Sequence, residues 1–229
     1  MAIYHLRATM ISRSAGRSAT AAAAYRSASH IEDHRTGLSF DYRARGGVDH
    51  VEILAPAQAP EWAQDRAALW NAVEAAETRK NSQVAREIRV ALPAELNHGQ
   101  RIELVREFCQ RQFVDRGMVA DIALHAPGRE GDDRNHHAHI LLTTREIAAE
   151  GFTTKNRDWN AVEVLEGWRE AWAQDANLAL ELAGHGERID HRTLEAQRIE
   201  ALELAHVAQE QGHEAEALEH TVRAVALDR

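Results

Sequence analysis

Three histidines in the second half of the sequence have a spacing suited to metal chemistry: His125, His137 and His139. In a β-strand, residues i and i+2 point to the same side, so His137 and His139 share one face of a strand. If residues 118–126 and 136–144 pair as an antiparallel hairpin, His125 lies across from them on the neighbouring strand. Three neutral imidazoles form a facial site for a first-row divalent metal, with coordination positions left over for phosphate oxygens.

The same alternation places His136 on the opposite face of the strand, so we do not expect it to be a ligand. The sequence contains 14 His, and any single histidine is more often a surface or core residue than a metal ligand. The spacing alone therefore leaves a generic metallohydrolase or a structural metal site open.

Tyr25 is a second candidate for chemistry. It lies in an alanine-rich segment, which predicts a helix with Ser18 as its N-cap. A tyrosine on such a helix is by default a core residue with a polar tip, but Arg26 and Ser27 follow this one directly. A phenol is a weak nucleophile at neutral pH unless a cation stabilises the phenolate and polarises the phosphorus centre. Tyr25 is therefore a candidate nucleophile beside a metal.

Strands and helices that would position these residues are interspersed along the sequence. Alternating or apolar runs predict strands over residues 3–10, 38–42, 50–55, 85–92, 118–126 and 136–144. The strands at 38–42 and 50–55 are expected to form a hairpin around Arg45-Gly46-Gly47, and a polar loop over 127–135 separates the last two strands.

Capping residues and apolar stripes predict the helices. They begin after Ser18, at Pro60, before Ile102 and after Asp158, with Gly117 and Gly184-His-Gly186 ending the last two. Because strands and helices do not alternate strictly, we expect an α+β fold, with a central antiparallel sheet and helices packed on it.

The composition is that of a folded chain kept in a reducing compartment. The 229 residues are 44% hydrophobic, and the single cysteine, Cys109, falls in a helical pattern where a core role is expected. No apolar run approaches the length of a membrane span, and nothing near the start is typical of a signal peptide. These features predict a cytoplasmic protein.

Charge is distributed unevenly along the chain. The net charge of −9 argues against a non-specific DNA-coating protein, yet residues 1–50 carry a net charge of +3 and residues 195–229 a net charge of −5. An acidic tail can therefore mask a cationic working face. We predict a functional domain over residues 1–195 and an acidic appendage of two amphipathic helices over 196–229, as the start of a linker to downstream domains.

An ordered series of motifs resembles the MobA/MobL family, the MobQ class of relaxases within the HUH endonucleases. The resemblance spans roughly residues 2–195 and rests on the motifs Ala2-Ile-Tyr-His5, Gly16-Arg-Ser-Ala-Thr20, Ala24-Tyr25-Arg26-Ser27, Leu69-Trp70-Asn71, the run from Glu77 to Glu87, Ala91-Leu-Pro93, His137-Ala-His139 onward to Arg145, Arg157-Asp-Trp-Asn160, Trp168-Arg169 with Trp172, and Arg188-Ile-Asp-His-Arg192. The family commonly has proline where this sequence has His136. Each motif is modest alone, but their order is specific, and it implies the relaxase form of the α+β fold.

The resemblance implies roles for individual residues. The family's nucleophile falls on Tyr25, its metal-binding histidines on His125, His137 and His139, and the acidic residue that orients those histidines on Glu87. Candidate DNA contacts are the cations and one aromatic residue that follow these motifs: Arg13, Arg17, Arg26, Arg79, Lys80, Arg145, Lys155, Arg157 and Trp159.

The activity implied is strand-specific nicking at a plasmid origin of transfer, with a 5′-phosphotyrosyl intermediate that is later religated. The cofactor would be a divalent ion, with Mg or Mn preferred and Zn, Ni or Co as alternatives. The implied partners are single-stranded DNA with an inverted-repeat hairpin, accessory relaxosome proteins and the coupling protein of a type IV secretion system. Transfer of the protein itself with the DNA into a recipient cell is left open.

Two other interpretations remain beside this one. Rolling-circle initiators and transposases of the HUH type share the histidine motif, but they usually place the tyrosine downstream of it, whereas Tyr25 lies upstream of His137. A metal-containing DNA-binding domain without catalytic activity is the second alternative. Formation of a covalent protein–DNA adduct separates it from a nicking enzyme.

Overall fold

In the computed structural model, which describes residues 3–128 and 132–228, the central element is a five-stranded antiparallel sheet. Its strands are β1 (Leu6–Ser12), β4 (Val48–Leu54), β5 (Gln83–Ala91), β6 (Ala120–His125) and β7 (His137–Leu142). The strand order is β1-β5-β7-β6-β4, so β7 is the middle strand and β5 and β6 flank it. The predicted α+β architecture is confirmed.

Among the residues described, four helices and two small two-stranded sheets accompany the central sheet. The helices are α1 (Ala19–Ser27), α2 (Arg66–Ala76), α3 (His98–Gln112) and α4 (Val162–Leu182). Two-stranded sheets are formed by β2 (His30–Asp33) with β3 (Leu38–Asp41), and by β8 (Arg145–Ala148) with β9 (Gly151–Lys155). Most of the predicted elements are present, with ends shifted by a few residues.

Alternation along the sheet divides the buried apolar residues into two cores. Ile88, Ala138 and Ile140 pack with α3 and α4 in one cluster, which includes the fully buried Trp172. On the other side, Leu141 belongs to a cluster with α1 and α2. The side chains of His137 and His139 alternate with Ala138 and Ile140, so they lie on the α1 and α2 side of the sheet.

The hairpin predicted around Arg45-Gly46-Gly47 is wrong. Instead, β3 pairs with β2 across a turn in which Gly37 has φ 71°, while β4 pairs with β6 in the large sheet. Asp33 stabilises the β2–β3 turn because its carboxylate accepts a hydrogen bond from the Thr36 backbone. The two runs that the sequence suggested as partners thus belong to different sheets.

Two helix boundaries also differ from prediction. The segment after Pro60 begins with a short 3-10 turn, Glu61–Gln64, and α2 starts only after Asp65, whose side chain caps it. Helix α3 ends before Gly117, which closes a further 3-10 turn, Val114–Arg116, with φ 94°. The polar loop predicted over 127–135 includes residues 129–131, which lie outside the described residues.

The chain divides into two compact units, residues 1–189 and 190–229. The second consists of α5 (Leu194–Glu210) and α6 (Glu214–Ala226), which pack on each other and are joined by a turn at Gly212 with φ 75°. Two helices were predicted for this segment. Within residues 3–128 and 132–228, no helix combines the length and hydrophobicity that crossing a membrane requires.

Candidate functional site

The three histidines singled out from the sequence lie together on β6 and β7. His125 is the direct cross-strand partner of His137, and Ala123 is that of His139. One ring nitrogen from each histidine lies within 4.8 Å of the others, and the ring centroids are 4.8 to 5.2 Å apart. The strand pairing predicted from spacing therefore brings all three imidazoles to one place.

Each ring is oriented by a hydrogen bond from one of its two nitrogens. Nδ1 of His137 is 3.0 Å from the Asn135 carbonyl oxygen, and Nε2 of His125 is 2.7 Å from that of Arg26. A carbonyl oxygen only accepts, so these two nitrogens carry the proton and the opposite nitrogens present lone pairs. This is the arrangement that metal-ligating histidines use.

His139 is oriented by a carboxylate. Its Nδ1 lies 2.7 Å from Oε1 of Glu87, which comes from β5, the other neighbour of β7. Glu87 is 8% exposed and is also paired with the guanidinium of Arg26, whose Nη2 donates to Oε2 at 2.6 Å. A carboxylate in this position fixes both the tautomer and the ring angle of the histidine.

His136 lies apart from this cluster. Its Nδ1 accepts a hydrogen bond of 3.3 Å from Nη1 of Arg101, a residue of α3. The ring is thus engaged by the helix that packs on the far side of the sheet from His137 and His139.

Electrostatics favour the neutral form of two rings in the cluster, His125 and His137. Burial, with the nearby charges of His139, His137 and Arg45, lowers the pKa of His125 to about 4, although its bond to the Arg26 carbonyl opposes the shift. Burial also lowers the pKa of His137. Burial alone would raise the pKa of Glu87, but hydrogen bonds from His139 and Arg26 outweigh it and hold that pKa well below its usual range. The site at neutral pH contains unprotonated His125 beside an ionised carboxylate.

Tyr25 lies in the last turn of α1, and local sequence explains why a helix forms there. The Ser18 side chain accepts a hydrogen bond of 3.1 Å from the Ala21 backbone, and Ala22, Ala23 and Ala24 are buried. Small side chains on the buried face let the helix pack closely against its neighbours. Tyr25 itself is 46% exposed.

Arg26 connects this helix to two of the three histidines. Its carbonyl oxygen accepts from His125, and its guanidinium pairs with Glu87, which in turn orients His139. Tyr25 is the preceding residue in the chain. The position of the candidate nucleophile is therefore fixed relative to the histidine cluster by contacts of its immediate neighbour.

A cavity of about 910 Å³ opens beside Tyr25. Cationic and aromatic side chains share its wall: Arg17, Tyr25, Arg35, Phe40, Tyr42 and Lys80. Such a wall offers charges to phosphates and ring faces to bases, as grooves for single-stranded nucleic acid do. Sequence reasoning did not identify Arg35, Phe40 or Tyr42, since nothing in their spacing marks them.

The predicted phosphate partners fall into two groups. Arg17, Arg79, Lys80 and Arg157 are exposed, and no ion pair of theirs occurs among the described residues. The other four are engaged within the protein: Arg13 with Glu74, Arg26 with Glu87, and both Arg145 and Lys155 with Glu77. Because these four side chains are already bound to carboxylates, they are less available to DNA than the four exposed ones.

Trp159 is only 7% exposed and belongs to the core that contains Trp168 and Trp172. Its burial argues against the predicted role as a platform on which a base stacks. Trp168 and Trp172 are four residues apart on α4 and so share one helix face, whereas Trp159 stands in a short 3-10 turn, Asp158–Asn160, and shows no such periodicity.

Comparison with known proteins links this arrangement to one family. The model of the MobA/MobL family matches residues 17–220. Mobilization protein MobL of Acidithiobacillus ferridurans is 41% identical over 90% of this chain and 62% of its own length. Conjugal transfer protein TraA of Rhizobium radiobacter is 36% identical over 87% of this chain and 20% of its own length. The chain thus spans less than two thirds of each of these relatives.

Solved structures agree with the sequence relatives. A structure from work on vancomycin resistance transfer in Staphylococcus aureus is 37% identical, with a TM-score of 0.77 over 83% of this chain and 99% of that one. The conjugative relaxase TrwC in complex with oriT DNA, in a metal-bound structure, gives a TM-score of 0.53 over 98% of this chain and 99% of that one. At 12% identity the second likeness concerns the fold alone.

Proposed function

Because the chain belongs to the MobA/MobL family, we propose that it nicks one strand of DNA at an origin of transfer, with Tyr25 as the nucleophile. The observation that supports this most directly is the double link from Arg26 to the histidine cluster, through its carbonyl to His125 and through Glu87 to His139. It couples the residue next to the tyrosine to two candidate metal ligands. Relatives named as mobilization and conjugal transfer proteins support the same activity.

The proposed reaction exchanges one phosphodiester for another. The Tyr25 oxygen forms a bond to phosphorus, the bond from phosphorus to the 3′ oxygen breaks, the phenol loses its proton and the released 3′ oxygen gains one. The product is a 5′-phosphotyrosyl strand with a free 3′-hydroxyl. Since one phosphodiester replaces another of similar energy, the same residue can serve religation in reverse.

The histidine cluster fits a divalent cation. His125, His137 and His139 each offer one ring nitrogen as a possible ligand, and one nitrogen of each ring is held by a hydrogen-bond acceptor. A cation bound there would neutralise charge on the scissile phosphate and hold it in position. A set of three imidazoles suits first-row transition ions such as Mn, Co, Ni or Zn better than Mg.

The proposed substrate is single-stranded DNA that carries an inverted-repeat hairpin. The cavity beside Tyr25, with Arg17, Arg35 and Lys80 in its wall, would bind the strand near the nick. A structural neighbour, the conjugative relaxase TrwC, is bound to oriT DNA in its solved structure, which supports this substrate class. The accessory relaxosome and secretion partners, and the cytoplasmic location, stay predictions from the sequence.

Covalent capture tests the proposal. The full chain is incubated with Mn²⁺ and single-stranded fragments of the replicon that encodes it, and adducts that survive denaturation are isolated and their DNA sequenced. We expect one site to be captured by the wild type, and neither adduct nor cleavage with Tyr25→Phe at unchanged DNA affinity. A Tyr42→Phe variant serves as the control for loss of a nearby phenol.

Two results would contradict the assignment. Normal cleavage by Tyr25→Phe would show that another group attacks. Binding of DNA without any adduct, in the wild type and with each metal tried, would favour the alternative of a metal-containing DNA-binding domain.

A further inference from the structure

Two residues from the segment that joins β3 to β4 contact the ring of Tyr25. The edge of one ring meets the face of the other between Tyr25 and Tyr42, whose centroids are 5.2 Å apart at an interplanar angle of 90°. The guanidinium carbon of Arg45 lies 3.7 Å from the centre of the Tyr25 ring. An exposed tyrosine in a final helical turn would otherwise be free to change rotamer.

Arg45 contacts the backbone of the same tyrosine as well. Its Nη1 donates a hydrogen bond of 2.6 Å to the Tyr25 carbonyl oxygen. The Arg45 guanidinium therefore lies over the Tyr25 ring and, at the same time, donates one N–H to the Tyr25 main chain. A lysine ammonium has no planar face and cannot make both contacts in this way.

The segment that carries Arg45 is anchored at both ends. The Tyr42 backbone N–H donates to the Ser29 carbonyl just beyond α1, and the Arg45 N–H donates to the Tyr42 carbonyl at 2.9 Å. At its other end, the Gly47 carbonyl accepts from the backbone of Ala126, the residue after His125. Arg45 is thus fixed between the end of α1 and the strand that bears a candidate metal ligand.

We infer that Arg45 is a positioning residue for Tyr25, holding the phenol ring in the attacking orientation and stabilising the negative charge that develops on it. This inference rests on the proposed function. A cation over an aromatic face is attracted more strongly as the phenol becomes phenolate, so the contact stabilises the transition state more than the ground state. The same contact would favour departure of the tyrosine during religation.

The test compares Arg45→Met and Arg45→Lys with Arg43→Met as matched control. Arg43 belongs to the same segment, but its side chain is 68% exposed and pairs with Asp41. The probe is the oligonucleotide that the wild type captures with Mn²⁺. Its Kd is measured by fluorescence anisotropy with each protein, and the cleavage rate is measured in single-turnover reactions at saturating enzyme.

We expect Arg45→Met to lower the saturating cleavage rate roughly tenfold with Kd nearly unchanged, which corresponds to a loss of about 1.4 kcal/mol of transition-state stabilisation by the cation–π contact. Arg45→Lys should recover part of the rate, because it restores the charge but not the planar contact. Arg43→Met should cleave as the wild type does.

A wild-type rate for Arg45→Met would overturn the inference. So would a weaker Kd with an unchanged saturating rate, since that result assigns Arg45 to phosphate binding instead. If thermal unfolding shows that Arg45→Met is not folded, Arg45→Lys decides, because a lysine variant that cleaves at the wild-type rate excludes a need for the stacked guanidinium. Active Tyr25→Phe would refute the proposed function itself, whereas inactive Tyr25→Phe with normal Arg45→Met refutes only this inference.

Discussion

At the scale of single residues, Glu87 and Arg26 connect the two halves of the candidate site. Glu87 accepts hydrogen bonds from His139 and from Arg26, and the Arg26 carbonyl accepts from His125. Arg26 was predicted as a phosphate partner, yet its side chain is only 14% exposed and its guanidinium is bound to a carboxylate. Its contacts are better suited to holding α1 against β5 and β6 than to binding DNA.

Metal binding provides the first residue-scale prediction. Replacing His137 by Ala removes one of three imidazole ligands, so we expect Mn²⁺ affinity to fall at least tenfold by isothermal titration calorimetry. His136→Ala is the matched control, since that ring faces Arg101 of α3 and should leave Mn²⁺ affinity unchanged. Equal affinities for the wild type and His137→Ala would refute the three-histidine site.

Titration of His125 provides the second prediction, for the metal-free protein. Its pKa in the folded state is lowered to about 4 from an ordinary value of 6.5, so the unfolded chain binds the proton more readily than the folded chain does. Stability should therefore fall as pH decreases from about 6.5 towards 4 and should not change through this group above 6.5. NMR of the imidazole, assigned with His125→Asn, should give a midpoint near 4, and a midpoint at or above 6.5 would contradict it.

At the scale of elements, the position of α1 depends on a buried carboxylate of α2. Glu74 is 1% exposed and accepts hydrogen bonds from the Ala19 backbone at 2.6 Å and from the Arg13 guanidinium at 2.6 Å. It thereby joins the first residue of α1 to the turn after β1. Arg13, another predicted DNA contact, is occupied by this interaction.

Glu74→Gln should therefore destabilise the fold. It leaves the buried Arg13 guanidinium without its counter-charge, and we expect the free energy of unfolding to fall by about 3 kcal/mol in urea denaturation. The control is Glu107→Gln on α3, which removes only an exposed ion pair with Arg111 and should cost less than about 0.5 kcal/mol. Similar losses for the two variants would show that burial of the Glu74 pair is unimportant.

At the scale of the whole molecule, the chain consists of one unit that contains every candidate site residue and a second that contains none. Residues 1–189 include the sheet, the histidine cluster and Tyr25, and residues 190–229 form the α5 and α6 pair. That residues 1–195 suffice for activity stays a prediction.

A chain that ends at Ile189 tests this division. Because α5 and α6 carry none of the candidate ligands or the tyrosine, we expect the shortened chain to keep Mn²⁺ affinity and to form the covalent adduct at a rate within threefold of the full chain. Calorimetry and single-turnover cleavage measure the two. Loss of both activity and folding would show that the second unit stabilises the first.

The sequence by itself determined those parts of the site that follow local rules. His125, His137 and His139 share a face because side chains alternate along a strand and two consecutive strands, β6 and β7, pair with each other. Ser18 caps α1 because its hydroxyl accepts a backbone bond three residues on. Periodicity and capping involve only a few neighbouring residues, so they can be recognised from the sequence without knowledge of the tertiary structure.

Only the tertiary structure decided which distant residues meet. Arg26 is 99 positions from His125 and 61 from Glu87, and no local pattern specifies either contact. The sequence also paired β3 with β4 in error, since turn residues alone do not identify a strand's partner. The positive charge of Arg13 and Arg26 suggested that they bind phosphates. In the fold their N–H donors are instead bound to buried carboxylates, because a buried charge is stable only beside a group of opposite charge.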